Sequence, residues 1–121
     1  HGRGLAFAAQ KDYDRAVIDH IEAIRLCPHS AEAYNNFARF WASCPDHGRR
    51  DATMALELAQ KACALCDWQD WSCLSTLAAA HAESGNPAEA IRWLEQAVNL
   101  APALQHFGLR NTLLEYQSRL R

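Results

Sequence analysis

Three cysteines lie within eleven residues of the sequence, in the segment CALCDWQDWSC at 63–73. Thiols at this density could bind a metal ion through Cys63, Cys66 and Cys73. A structural zinc site needs four ligands, often as two close pairs, and only one C-x-x-C pair is present. The nearest downstream histidine, His81, lies eight residues past Cys73, about 12 Å along a helix. A metal site is therefore the weaker interpretation.

The same C-x-x-C pair could take part in thiol redox chemistry. A reactive thiolate is favoured at a helix N-terminus, where the helix dipole stabilises negative charge. The helix predicted in ATMALELAQKACAL instead ends at this pair, beside Asp67. We therefore interpret the cysteines as small packing residues, with a thiol- or metal-responsive module through Cys63, Cys66 and Cys73 as the alternative.

Other constellations that could support catalysis are absent from the sequence. No serine or cysteine has a histidine and an acid at a recognisable spacing, and no glycine-rich phosphate loop follows a strand. His20 and His81 fall on apolar helix stripes, which predicts packing roles, and His47 falls in a polar segment. The sequence thus predicts a protein that is not an enzyme and uses no cofactor.

Composition limits the classes of partner. The chain has 121 residues, half of them hydrophobic, with 12 basic and 14 acidic residues, which suits one compact domain or a short repeat array. This balance predicts no nucleic-acid partner, and the lack of a long apolar run predicts no membrane insertion. The five cysteines are an odd number, which favours reduced thiols and a cytoplasmic location. Because no methionine starts the chain, we expect a trimmed piece of a longer protein.

Apolar residues recur at the spacing of helices and not of strands. The first clear helix is predicted from about Asp14 to Leu26, with Pro28 ending it. Pro45 and Gly48 are expected to stop the second. The pattern predicts helices in AEAYNNFARFWAS, ATMALELAQKACAL, WSCLSTLAAAHAES and NPAEAIRWLEQAVNLAP, and a last amphipathic helix at about 103–120 that carries Leu104, Phe107, Leu113, Leu114 and Leu120.

Polar residues mark the starts of three of these helices. Ser30, Asp51 and Asn86 suit the N-cap position, where a side-chain oxygen accepts from a free backbone N–H group. Pro87 then stands where no donor is needed, and Glu89 is expected to reach back to Asn86 and complete a capping box.

Three segments are copies of one another. DYDRAVIDHIEAIRLCP aligns without a gap with NPAEAIRWLEQAVNLAP, and MALELAQKACALCD is a third copy. Their matching alanines, Ala16, Ala55 and Ala90, are 39 (55 − 16) and 35 (90 − 55) residues apart. A helix pair repeated at a period near 34 is typical of a helical solenoid.

These copies resemble the tetratricopeptide repeat family, in a form similar to its bacterial members. The family's first helix carries an aromatic, a leucine-like, a small and another aromatic residue, and its second helix carries alanine, a bulky residue, alanine and proline. On the first helices these places hold Tyr34, Phe37, Ala38 and Trp41 in repeat 2, and Trp71 just ahead of Leu74, Leu77, Ala78 and His81 in repeat 3. On the second helices they hold Ala16, His20, Ala23 and Pro28 in repeat 1, and Ala90, Leu94, Ala97 and Pro102 in repeat 3. The resemblance implies an all-α fold, a right-handed α-solenoid of antiparallel helix pairs.

The resemblance also implies one domain over 1–121, divided into three repeats and a capping helix. Repeat 1 spans about 1–29 and lacks most of its first helix. Repeat 2 spans about 30–69, with a longer internal loop at 44–51 and Asp67 where proline is usual. Repeat 3 spans about 70–102, and the capping helix about 103–120.

A second stripe on each first helix is polar. In the resembled fold it lines a concave groove, where amides and hydroxyls can bond an extended peptide backbone. The resemblance therefore implies a non-catalytic scaffold or adaptor for a protein or peptide partner, with a solvated face or a structural spacer as alternatives. The predicted groove residues are Glu32, Asn35, Asn36, Arg39, Ser43, Ser72, Ser75, Thr76 and Glu83.

The second helix of repeat 1 carries more apolar surface than one neighbour can cover, through Val17, Ile18, Ile21 and Ile24. Leu5 and Phe7 would also face an incomplete partner. Exposed apolar patches tend to find a partner. We therefore expect either further repeats upstream in the natural chain or self-association through the N-terminal repeat.

Overall fold

The structure, a computed structural model, describes residues 2–43 and 51–120. Within these ranges all regular structure is helical, and no helix there is long and apolar enough to cross a membrane. The six helices are α1 Gly2–Leu26, α2 Ala31–Ser43, α3 Ala52–Leu65, α4 Trp71–Glu83, α5 Pro87–Leu100 and α6 Ala103–Ser118.

Helix α1 begins at Gly2 and not near Asp14, so residues 2–26 form one continuous helix of 25 residues. The prediction that the first clear helix begins near Asp14 is therefore wrong. Gly85 and Pro87 separate α4 from α5, whereas no glycine or proline occurs between Leu5 and Leu26. Nothing in that segment breaks the helix.

The predicted N-caps at α2 and α3 are confirmed. The Ser30 hydroxyl accepts from the Ala33 N–H at 3.2 Å, and the Asp51 carboxylate accepts from the Met54 N–H at 3.0 Å. Most of the predicted longer loop at 44–51 lies outside the described residues, with Pro45, His47 and Gly48, as do the side chains of Leu5 and Phe7.

At α5, the capping box is only half formed. The Asn86 side chain accepts from the Glu89 N–H at 3.4 Å, as predicted. Its own N–H, however, donates to the His81 carbonyl at 2.9 Å. The expected return bond from Glu89 is therefore wrong, because the end of α4 already uses that donor, and Glu89 instead pairs with Arg92 at 3.7 Å.

Asp67 replaces the usual proline because α3 ends in a left-handed turn. Its φ is 55°, a value that the proline ring cannot adopt. The Trp68 N–H donates to the Cys63 carbonyl at 2.8 Å and the Asp67 N–H to the Ala64 carbonyl at 3.3 Å, which is the Schellman arrangement. α4 ends in the same way with Gly85 at φ 80°.

The core lies where α3, α4 and α5 meet. Leu74, Leu77 and Leu94 are its largest fully buried side chains, and they pack against alanines that let the helix backbones approach closely. These alanines include Ala59, Ala62, Ala78, Ala90 and Ala97, all at 0% exposure, whereas the equally buried Ala55 packs in a smaller cluster with Ala42 and Ala80. Repeat positions of the predicted motif thus form the centre of the protein.

Aromatic side chains hold α1 against α2. The His20 ring stacks on Phe37 with centroids 5.1 Å apart, and Tyr13 lies 5.3 Å from Phe40. Phe40 in turn meets Trp41 edge-on at 5.3 Å. Sequence patterning predicted Phe37 and Trp41 on this stripe, and the contacts confirm it.

The apolar stripe predicted for the last helix is largely wrong. Leu104, Phe107, Leu114 and Leu120 are exposed, and α6 instead buries Leu109 and Tyr116, seven residues apart, against the core. Because α6 carries apolar residues on opposite sides, its periodicity does not reveal which side faces α5.

Candidate functional site

Helices α2 and α4 lie side by side and share one polar seam. The Ser72 hydroxyl at the start of α4 accepts two hydrogen bonds from α2. One comes from the Asn35 amide at 3.1 Å and one from the Arg39 guanidinium at 2.8 Å. Asp70 fixes this point, since its carboxylate accepts from the Ser72 N–H at 2.9 Å.

Two predicted groove residues are buried in this seam. Asn35 is 6% and Thr76 4% exposed, and the Thr76 hydroxyl donates to the Ser72 carbonyl at 3.0 Å. Both side chains are therefore buried and not accessible in the way that the groove prediction expected. The helix period of 3.6 residues predicts the side of its own helix on which each residue lies, but it does not predict where the neighbouring helix packs.

The remaining predicted residues are accessible to solvent. Glu32, Asn36, Arg39 and Glu83 are exposed, and Ser72 and Ser75 are half-buried. The side chain of Ser43 lies outside the described residues. We call the accessible set Glu32, Asn36, Arg39, Ser72, Ser75 and Glu83 the α2–α4 surface.

The α2–α4 surface combines different kinds of hydrogen-bonding group. The Asn36 amide and the serine hydroxyls can both donate and accept, Arg39 adds a cation, and Glu32 and Glu83 add two carboxylates. Ala79 and Ala82 on α4 are half-buried, and their small side chains leave these groups accessible. Such a surface can bond the N–H and C=O groups of a bound chain.

An open depression of about 280 Å³ borders this surface on the α1 side. Glu32, Ala33 and Asn36 line it from α2, and Ala23 and Leu26 from α1. Sequence reasoning missed this feature, because it depends on how α1 lies against α2. The only signal for it was the apolar excess predicted for the first repeat.

The cysteine segment is a packed helix junction. Cys63 is 0% and Cys73 1% exposed, and the Cys66 thiol donates to the Cys63 carbonyl at 3.4 Å. Burial raises the pKa of Cys63 from its ordinary 9.0 to about 12, with the nearby Cys66 and Asp70 adding to the shift. Burial likewise raises the pKa of Cys73. Both are therefore protonated at neutral pH, which disfavours metal binding and thiol exchange.

Tryptophans cover this junction. Trp68 lies in the left-handed turn with a φ of 61°, and its ring stacks on that of Trp93 in α5 with centroids 5.3 Å apart.

Within residues 2–43 and 51–120, no group of three or more metal-ligating side chains is placed to hold an ion.

The two stripe histidines are boundary residues. His20 and His81 are both half-buried. Burial lowers the pKa of each, and nearby carboxylates, Asp19 for His20 and Glu89 for His81, oppose that shift in part. The half-burial of both rings agrees with the packing roles predicted for them.

Residues 71–104, which cover α4 and α5, match the family model of the tetratricopeptide repeat. This is the third repeat of the sequence analysis, and the division of the remaining residues into repeats stays a prediction. No curated protein matches the chain.

Proposed function

We propose that the chain is a helical repeat protein of the tetratricopeptide repeat family and acts as a non-catalytic module that binds a peptide or protein segment on the α2–α4 surface. Repeats of this family generally mediate protein–protein interaction, and its members are typically scaffolds. The partner is a chain whose exposed backbone groups need hydrogen-bonding partners once they are buried.

One observation carries the proposal. Accessible donors and acceptors from two helices lie along a single seam, and the Asn35–Ser72 and Arg39–Ser72 bonds hold these helices in register. Ordering of the surface before binding lowers the entropic cost of recognition. By contrast, the buried and protonated Cys63 and Cys73 do not favour the thiol- or metal-responsive alternative.

Selection from a library of random peptides, followed by titration of the selected peptides, tests this function. Arg39→Glu reverses a charge on the surface, and we expect it to weaken binding about ten-fold or more, since a hydrogen bond to a charged group contributes roughly 1.5–3 kcal/mol. Asn36→Ala should weaken binding by about 3- to 10-fold, because its hydrogen bonds are neutral.

The controls make the same changes on other helices. Lys61→Glu on α3 and Asn99→Ala on α5 alter exposed residues away from the α2–α4 surface. We expect both to leave affinity unchanged. A selected peptide that loses affinity with the control variants, but not with Arg39→Glu and Asn36→Ala, would place binding elsewhere and contradict the proposal.

A further inference from the structure

The face of α1 that corresponds to the best-buried faces of α3 and α5 is largely uncovered. We call Ala16, His20, Ala23 and Cys27 the α1 stripe. Ala16 and His20 are half-buried, whereas Ala23 and Cys27 are exposed. The equivalent residues are Ala55, Ala59 and Ala62 on α3 with its C-cap Cys66, and Ala90, Leu94 and Ala97 on α5 with its C-cap Ala101. All but the half-buried Cys66 are at most 8% exposed.

Among the described residues, α1 lacks the neighbouring helix that covers each of α3 and α5. α3 packs on α2 and α5 packs on α4, so each of these second helices is covered by the first helix of its own pair. α1 is followed by α2, but it has no first helix of its own among the described residues. The open depression of about 280 Å³ lies where Ala23 and Cys27 face solvent.

At the other end of the array, α6 presents an apolar face to solvent. Leu104 is 93%, Phe107 79% and Leu114 63% exposed. They lie on the side of α6 opposite to the buried Leu109 and Tyr116. A helix that is apolar on two opposite sides is normally covered on both.

The order of the helices relates these two faces. α6 follows α5 in the place of a first helix, and α1 stands before α2 in the place of a second helix; the described residues include no pair partner for either. We propose that α6 of one copy packs on the α1 stripe of another, forming between two molecules the kind of helix pair that α4 and α5 form within one. This goes beyond the proposed peptide binding and does not depend on it.

Charges beside the two faces are complementary. Arg110 lies between Phe107 and Leu114 on α6 and makes no ion pair with the described part of the chain. Glu32 lines the depression and Asp19 lies one turn before Ala23, and neither carboxylate has an ion-pair partner among the described residues. Docking of α6 brings the cation towards these carboxylates.

The two faces differ, so the contact is heterologous. Each copy offers one α6 face and one α1 stripe, and association can therefore continue head to tail. We expect the mean mass from sedimentation equilibrium to rise with concentration above the 13.5 kDa of a single chain.

Single substitutions on each face give the decisive experiment. Ala23→Glu and Phe107→Glu alter exposed positions, and circular dichroism should show that each variant stays folded. Alone, each variant should stay at 13.5 kDa, because burying a charged side chain between two apolar faces costs free energy. Mixed together, they retain one intact contact and should form a 1:1 dimer that stops at twice that mass, whereas a chain with both changes should stay monomeric.

Ile18→Glu is the matched control, because Ile18 is 64% exposed on α1 but lies off the α1 stripe. It should leave association unchanged. Several results would overturn the proposal: a wild-type chain that stays monomeric at high concentration, association lost with Ile18→Glu but kept with Ala23→Glu, association lost only with Phe107→Glu, or variants that fail to pair when mixed. Ala23→Glu should leave the affinity for a selected peptide unchanged, which would show that self-association and peptide binding use different surfaces.

Discussion

The side-chain amide of Asn35 donates a hydrogen bond to the Ser72 hydroxyl at 3.1 Å, and this bond joins α2 to α4 at a partly buried point. The other end of the same amide, Oδ1, is buried and has no hydrogen-bond partner. Ser72 also accepts from Arg39. The Ser72 hydroxyl therefore bonds both the buried Asn35 and the exposed Arg39 of α2.

Ser72→Ala should lower the free energy of unfolding by about 1–3 kcal/mol, because it leaves the buried Asn35 amide without any partner. Ser75→Ala is the control, since Ser75 lies on the same helix, is half-buried and should cost at most about 0.5 kcal/mol. Urea denaturation of both variants measures the difference. Equal losses for the two would show that the Asn35–Ser72 bond does not stabilise the seam.

Asn35→Leu combined with Ser72→Ala should recover most of that loss. Replacing both partners of a buried hydrogen bond by apolar groups of similar shape is close to neutral, whereas removing one partner is not. The two single variants and the double variant form a double-mutant cycle. Additive losses would mean that the two side chains do not interact.

Asp67→Gly should stabilise the protein by up to about 1 kcal/mol. A left-handed residue with a Cβ atom costs roughly 1–2 kcal/mol, part of which the greater chain entropy of glycine offsets. Gly85→Ala makes the reverse change in the matching turn, where the added Cβ would have no atom within 4 Å, and should destabilise by about 1 kcal/mol through backbone strain alone. Thermal melting of the pair checks the opposite signs.

The buried thiols predict a loss of stability at high pH. The pKa of Cys63 is raised from 9.0 to about 12 by burial, so the folded state keeps its proton where the unfolded state releases it. The stabilisation is complete below about pH 9 and falls as pH rises towards 12, at about 1.4 kcal/mol per pH unit. Urea denaturation from pH 8 to 11 should give a shallower decline for Cys63→Ala than for the wild type.

Core and surface leucines should differ sharply in cost. Leu77 is 1% and Leu104 93% exposed. Leu77→Ala should cost about 2–5 kcal/mol by leaving a cavity, and Leu104→Ala should stay within about 0.5 kcal/mol. Chemical denaturation at low protein concentration, where copies stay apart, makes this comparison. A large loss at Leu104 would show that α6 buries a different face.

Sequence patterning found the helices because most of their limits are local. Ser30, Asp51 and Asn86 cap helices as predicted, since an N-cap depends on a few neighbouring residues. The repeated alanines predicted the core correctly. Ala55, Ala62 and Ala97 are fully buried, because their small side chains let the paired helices pack closely. The beginning of α1 was missed, although no glycine or proline interrupts the helix between Leu5 and Leu26.

The site was predicted only in part, because the placement of neighbouring helices is not local. Asn35 and Asn36 are adjacent in sequence, yet one is buried against α4 and the other is exposed beside α1. Both lie on the same predicted polar stripe, so periodicity alone did not show which of them meets α4. For the same reason it did not reveal that α6 turns Leu109 inward and Phe107 outward.

The most direct test of peptide recognition by the α2–α4 surface is a map of backbone amide shifts, recorded by NMR while a library-selected peptide is added. The largest shifts should fall at Asn36, Arg39, Ser72 and Ser75, with Lys61 and Asn99 unchanged. Shifts concentrated on the outer faces of α3 and α5, with none along the α2–α4 surface, would contradict the proposed function.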